Sequence, residues 1–215
     1  MPATHIYLIR HGETDWNVAH RIQGHTDWPL NEHGRDQSRL LRPRIAAIRP
    51  AVVYSSDSCR CVETAQLALC EHTGAPAPDR PSSIRTVRAL RERCFGEWEG
   101  LTLDEVHERD PAGYRKWREM TPGYCPPGGE TRSELYGRMG QFLEEVSREW
   151  HGQRVALFSH GGSINAAIAY ALGVEPDHPV NLSIGNVSIS GLIARDTGWK
   201  IDFLNDTGHL VTKNI

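Results

Sequence analysis

Residues 6–14 read Ile6-Tyr7-Leu8-Ile9-Arg10-His11-Gly12-Glu13-Thr14, a short apolar run that stops at a cation, an imidazole and a glycine. Two later stretches have the same form. Val52-Val53-Tyr54 runs into Ser55-Ser56-Asp57, and Val155-Ala156-Leu157-Phe158 runs into Ser159-His160-Gly161-Gly162. Short β-branched and aromatic runs of this kind predict buried strands. Helical patterning follows each one. Residues 31–48 are amphipathic, with Leu40, Leu41, Ile45 and Ile48 on a shared face. Residues 59–70 follow Ser56 and Asp57, both good N-caps. Residues 164–172 are apolar and end at Gly173, a good C-cap. Residues 131–150 place Leu135, Met139, Phe142, Leu143 and Val146 at helical spacing. Strands alternating with helices predict an α/β fold with a mostly parallel central sheet. Ligands bind such sheets beyond the carboxyl ends of the strands, which brings Arg10, His11, Arg60 and His160 to one crevice. Residues 187–194 and 200–204 alternate around Asp196-Thr197-Gly198 and predict a hairpin near a sheet edge. Residues 100–130 are less regular and include a Pro/Gly-rich loop at 121–129, read either as a lid or substrate-pocket wall or as a connector between helices.

The length of 215 residues suits one domain, 1–215, with 100–130 as its insertion. Hydrophobic content of 39% and charged content of 24% are those of an ordinary globular protein. A net charge of −3 argues against nucleic acid as the main partner. Only Lys116, Lys200 and Lys213 of the 24 basic residues are lysines; arginine suits bidentate oxyanion binding, and codon bias accounts for the excess equally well. No signal-peptide pattern or run of 18 apolar residues occurs, so the expected location is the cytoplasm, with no membrane partner. Cys59, Cys61, Cys70, Cys94 and Cys125 lack framework spacing and are expected to be reduced thiols. His5, His20, His25 and His33 are too loosely spaced for a zinc site, so no metal is expected.

Arg-His-Gly at a strand end offers a cation, an imidazole nucleophile and a close backbone approach. Attack on phosphorus needs a neutral imidazole, and nearby arginines disfavour the imidazolium. Arg60 falls in the first turn of a helix whose N-terminus suits an anion. With His160 as a further donor, these groups can surround the equatorial oxygens of an in-line phosphoryl transfer. Hydrolysis also needs an acid for the leaving oxygen and a base for water, and one carboxyl can serve both in turn. Glu92 is the candidate, although spacing alone does not separate it from Glu13, Glu97 or Glu99. Trp16, Trp28 and Trp98 read as packing residues, and His151 and His178 as surface groups.

The stretch from Leu8 to Asn17 resembles the signature of the histidine phosphatase superfamily, the phosphoglycerate mutase-like proteins. The resemblance continues through Arg21–Asn31, Ser55–Ala65, Glu92–Gly100, Pro127–Thr131 and Ser159–Gly162, nearly the whole chain in the family's order. It implies a three-layer α/β/α sandwich and a phosphomonoester hydrolase in which His11 becomes the phosphohistidine. It implies that Arg10, Arg60 and His160 complete the phosphate pocket and that Glu92 is proton donor, then base. Asn17, Gln23, Gly24 and Gly161 fall at substrate-lining positions. It implies a small phosphorylated metabolite as partner, no cofactor, and a fold compatible with a homodimer. Arg93-Cys94-Phe95-Gly96 departs from the mutases' Arg-His-Tyr-Gly, and Ser159-His160-Gly161-Gly162-Ser163 from their Ala-His-Gly-Asn-Ser. These departures place a phosphatase first, a cofactor-dependent phosphoglycerate mutase second, and a catalytically silent phospho-ligand-binding protein third.

Overall fold

Alternation along the first strand decides the layering. In the computed structural model, which describes residues 2–69, 83–176, 178, 180 and 182–211, strand β1 spans Thr4–Arg10. Ile6 and Leu8 point to one face of the sheet and Ile9 to the other, as the two-residue period of a strand requires. Strands β2 (Val52–Ser55), β3 (Ile84–Thr86), β4 (Arg154–Ser159), β5 (Ile189–Arg195) and β6 (Gly198–Asp206) complete a sheet of order β3-β2-β4-β1-β5-β6. The first four strands run parallel; β5 pairs antiparallel with β1 and β6 antiparallel with β5. The hairpin therefore forms as expected, with β6 on the edge. Strand β3 was not legible in the sequence; its three residues are too few to show a period.

Helices cover both faces. Helices α1 (Asp15–Val18), α2 (Glu32–Leu40), α3 (Arg42–Ile48) and α4 (Cys59–Leu69) follow β1 and β2. Leu41, Ile45, Ala65 and Ala68 from this group pack with Ile9, Val53, Ala156 and Phe158. Helices α5 (Leu103–Arg109), α6 (Pro111–Arg118), α7 (Arg132–Glu149) and α8 (Gly161–Ala171) come later. Helices α7 and α8 set Leu135, Met139, Leu143, Ile164 and Ile168 against Ile6, Leu8, Val155 and Leu157. Helix α7 is the most legible element. Thr131 and Glu134 form a reciprocal capping box at its start, and all five expected apolar residues are buried.

Three local expectations are corrected. Residues 31–48 form two helices, because Pro43 has no N–H to continue the α2 ladder and its ring would strike the carbonyl four residues back. Leu40 is consequently turned out, 38% exposed, off the face assigned to it. Residues 100–130 are more regular than expected and hold α5 and α6, capped by Thr102 and Asp110. Ser58, not Ser56 or Asp57, is the residue whose carbonyl begins α4, accepting from the N–H of Cys61 and Val62. The expected helix end at Cys70 lies outside the described residues.

Strand β4 lies between β1 and β2, with Arg10 beside Ser159 and Ser55 beside Phe158. The chain leaves β1 and β2 toward one face and β4 toward the other, which opens a crevice at their carboxyl ends. The close fit there depends on Gly12. A Cβ at Gly12 would lie 2.5 Å from the Gly34 carbonyl oxygen and 2.8 Å from the Ser38 hydroxyl, so only glycine lets the loop after β1 meet α2.

Candidate active site

His11 follows β1 directly and is 3% exposed. Its backbone is held on both sides: the N–H donates to Ser159, and the carbonyl accepts from Val187 N–H and the Asn186 amide. Nδ1 lies 2.7 Å from the Gly12 carbonyl. A carbonyl only accepts, so Nδ1 carries the proton and Nε2 keeps its lone pair. Burial, with Arg60 and Arg10 nearby, pushes the His11 pKa well below its ordinary value.

Two arginines flank this ring, Arg60 buried and Arg10 half-buried. Arg60, 1% exposed, donates from Nε to His160 Nδ1 at 3.3 Å, from Nη1 to the Thr26 carbonyl at 3.0 Å and from Nη2 to the Gly24 carbonyl at 2.8 Å. Arg10 donates from Nη1 to the Ile184 carbonyl at 2.5 Å, and its buried Nε meets no partner. Among the described residues neither arginine forms an ion pair with a carboxylate. Buried or half-buried charge without such a pair is costly and suits an anion that arrives from solution. His160 sits at the end of β4 with its ring centroid 5.2 Å from that of His11. Because its Nδ1 accepts from Arg60, Nε2 is the protonated nitrogen and donates to Ser56 Oγ at 3.0 Å. Ser56, read from sequence as a cap, accepts from that N–H, while Arg60 sets the tautomer of the second histidine.

Glu92 reaches this group from the loop after β3. The Arg93 N–H donates to Oε1 at 2.8 Å and the Gly162 N–H, in the first turn of α8, donates to Oε2 at 2.9 Å. A second lone pair on each oxygen stays available to carry a proton. Its loop is clamped by groups far away in sequence. Arg138 on α7 donates to the carbonyls of Ala89, Arg91 and Glu92 while pairing with Glu130, and Arg91 holds Asp57 bidentately at 2.7 Å.

Glu99 ties the two halves of the site together. Its carboxylate accepts from His25 N–H at 2.8 Å, Thr26 N–H at 2.6 Å, Thr26 Oγ1 at 2.5 Å and Phe95 N–H at 3.0 Å. Burial alone would raise its pKa, but these bonds outweigh burial and hold it below the usual carboxylate value. It thereby fixes the 24–26 loop, whose carbonyls hold Arg60, against the loop that carries Glu92. Glu99→Gln places an NH2 against N–H donors and should lower kcat/KM about ten- to hundredfold, as buried donors left unpaired do. Steady-state kinetics beside a thermal melt check this, and a folded variant with unchanged kcat/KM would refute the clamp.

The other sequence candidates are distributed around this centre. Asn17 closes a capping box with Thr14, and its Oδ1 also receives the Asn186 amide, so only its own amide nitrogen is left for a ligand. Gln23 presents a buried Oε1 without a partner. Gly24 has a φ of 53° and no room for a side chain against Glu99. Gly161 lies against the Arg10 side chain. The α4 N-terminus, expected to be open to an anion, has its Cys59 N–H taken by Asp27 at 2.8 Å. Ser56, Glu99 and Arg138 were not assigned these roles from sequence, since nothing local marks a partner a hundred residues away. Trp16 and Trp28 stack with centroids 4.8 Å apart, and Trp98 is buried, as packing residues should be.

Neutral burial also couples the site to stability. His160, 1% exposed, is pushed well below its ordinary pKa by burial and by Arg60, His11 and Arg10. An unfolded histidine binds a proton below about pH 6.5, whereas these two in the folded chain do not. Folding is therefore favoured fully above that pH, and stability falls as pH drops below it, by up to about 1.4 kcal/mol per pH unit for each ring. Urea midpoints at pH 7.5 and 5.5 test this; His11→Asn with His160→Gln should flatten the slope.

Comparison with known proteins identifies the family. A sequence model of the histidine phosphatase superfamily (branch 1) matches residues 6–207. A metal-independent phosphoserine phosphatase of Arabidopsis thaliana is 34% identical over 209 residues, covering 96% of this chain and 83% of that protein. The solved structure of Bacillus stearothermophilus YhfR superposes with a TM-score of 0.85 at 30% identity, covering 97% of this chain and 100% of the other. Phosphoserine phosphatase of Entamoeba histolytica, solved with 3-phosphoglyceric acid, gives 0.84 at 29% identity with the same coverage of each chain, 97% and 100%. With a match that spans almost its full length, the chain belongs to branch 1 of the histidine phosphatase superfamily.

Proposed function

We propose that this protein hydrolyses phosphomonoesters through a phosphohistidine formed on His11. The observation that carries the reading is the buried, neutral His11, with Nε2 free, between buried Arg60 and half-buried Arg10, neither of which has a carboxylate partner among the described residues. In the first half-reaction Nε2 attacks phosphorus, the P–O bond to the leaving group breaks, and Glu92 gives that oxygen its proton. Arg10 and Arg60 donate to the equatorial oxygens, where charge accumulates, and His160 joins them by turning its Nε2–H from Ser56 Oγ to the phosphate. In the second, Glu92 takes a proton from water, the new hydroxide attacks phosphorus, and the P–N bond breaks. Inorganic phosphate leaves with His11 neutral and Glu92 protonated again. Asn17, Gln23, Gly24 and Gly161 line the substrate position, with the unpaired Gln23 oxygen as an acceptor there.

The substrate is a small phosphorylated metabolite, in keeping with the ligand bound in the Entamoeba histolytica relative. No metal takes part, a reading supported by the description of the Arabidopsis thaliana relative as metal-independent. Residues 1–215 act as one unit, since both apolar cores pack on the same sheet. Among the described residues no helix is long and apolar enough to cross a membrane, and we place the protein in the cytoplasm as a homodimer. The test is release of inorganic phosphate from a panel of phosphate esters with chelator present. No turnover would favour the silent binding protein. Fast interconversion of 3- and 2-phosphoglycerate with a bisphosphate primer and little free phosphate would favour the mutase.

A further inference from the structure

A cavity of about 390 Å³ opens beside Glu92. Glu92 and Gly162 belong to its wall; Arg10, His11, Arg60 and His160 do not. A group leaving phosphorus must pass its oxygen to Glu92, so this volume is where the rest of the leaving alcohol lies. The volume falls within the range of about 300–1,000 Å³ that encloses whole small-molecule ligands. A three-carbon leaving group would fill little of it.

The lining states what the alcohol should look like. Phe95, Trp117, Met120, Leu135 and Tyr136 present an apolar, largely aromatic surface. Asn165, an amide in the lining, has its Nδ2 donated to the carbonyls of Gly161 and Leu182 and its Oδ1 taken by the Leu182 N–H. It is spent on the fold, so this amide gives a leaving group rich in hydroxyls nothing to replace its water.

Arg93, Arg118, Arg132 and His178 also line the cavity, and of these only Arg93 is buried. It is 5% exposed, donates to the carbonyls of Glu130 and Tyr124, and lies 5.5 Å from the Phe95 ring centre. Carbonyls take two of its N–H groups, and Glu130 and Glu92 act on its charge without contacting it. Among the described residues it forms no ion pair with a carboxylate, and the nearby Glu130 carboxylate is engaged by Arg138 at 2.7 and 2.9 Å. A buried guanidinium facing an open cavity with no counter-ion in contact suits an anion brought by the ligand.

On the phosphomonoesterase reading, we propose that the substrate is a phosphomonoester of a bulky, flat apolar alcohol bearing a second anionic group, a carboxylate or a further phosphate, held by Arg93. Trp117 and Phe95 are then the residues that select its body, and Arg93 the one that selects its charge.

The test compares kcat/KM for phenyl phosphate, 4-carboxyphenyl phosphate, a 1,4-phenylene bisphosphate, O-phosphoserine and glucose 6-phosphate. The full-length enzyme is assayed as wild type, Arg93→Met and Trp117→Ala. The anionic aryl esters should exceed phosphoserine and glucose 6-phosphate by about tenfold or more. Arg93→Met should reduce the ratio of the preferred anionic ester to phenyl phosphate about ten- to hundredfold, the usual cost of losing a charge-assisted bond. A ratio within one variant cancels partial misfolding and any disturbance of Glu92, on which both esters depend. Whether the carboxylate or the bisphosphate ester shows the larger drop tells which anion is read. Trp117→Ala should lower all aryl esters relative to phosphoserine. An anionic-to-phenyl ratio that survives Arg93→Met, or a wild-type preference for the hydroxylated esters, overturns this inference while leaving the hydrolase intact. No turnover of any ester overturns both.

Discussion

His11→Ala is expected to lower phosphate release from any ester by about 10⁴- to 10⁶-fold, the scale on which removing a nucleophile acts. The argument is geometric before it is chemical. Nδ1 is committed to the Gly12 carbonyl, and the backbone is held by Ser159, Val187 and Asn186, so the ring has one free nitrogen and one direction for it. Burial and the two arginines keep that nitrogen unprotonated well below the pH at which free histidine titrates. The alternatives for His11, hydrogen-bond donor or general base, predict milder losses of about 10²- to 10⁴-fold and no covalent intermediate. Rapid acid-free quenching of wild type with labelled ester should trap a phosphoenzyme that is stable to alkali and labile to acid. Arg10, Arg60 and His160 remain in the variant, so ester binding should persist. A purified, folded His11→Ala with more than about one hundredth of wild-type turnover would remove His11 from the nucleophile's role.

Glu92→Gln is expected to cost about 10²- to 10⁴-fold, and the loss should depend on the ester. An alkyl oxygen is too basic to depart without a proton, so alkyl phosphates should lose the most. A nitrophenolate leaves unaided, so the nitrophenyl ester should still phosphorylate His11. Its second half-reaction still needs a base for water. The variant should therefore release one equivalent of nitrophenol in a burst and then stall as phosphoenzyme. The amide keeps the size of the carboxylate and an acceptor for one of the two N–H groups that cradle it. Equal losses for alkyl and nitrophenyl esters, without a burst, would mean that another group supplies the proton.

The parts of this molecule that could be read in one dimension were those governed by burial. A strand or helix shows its core-facing side as a period of apolar residues, and that period depends only on near neighbours. Ile6, Leu8 and Ile9 divide between two faces for this reason, and Leu135 to Val146 form one stripe of α7. The places where such runs stop then named Arg10, His11 and His160. Proline was local too, yet the break at Pro43 was overlooked because the apolar pattern of residues 31–48 continues across it.

Polar partnership has no such period. Thr26 with Glu99, Arg60 with His160 and Arg138 with the Glu92 loop are pairings between residues 46 to 100 positions apart, and each is chosen by approach in space. Residue type and spacing left Glu13, Glu92, Glu97 and Glu99 equivalent. Folding separated Glu92 from Glu99, because Gly162 and Arg93 cradle the first beside the phosphate pocket while Thr26, His25 and Phe95 enclose the second. The cavity beside Glu92 is likewise a property of packing: α6, α7 and α8 meet there, and no one segment encodes the space they leave. The chain's own order of residues thus specified the α/β layers and the strand-end groups, through burial; the choice among carboxylates and the shape offered to the leaving group came from long-range contacts, because hydrogen-bond partners and empty volume exist only once the elements have met.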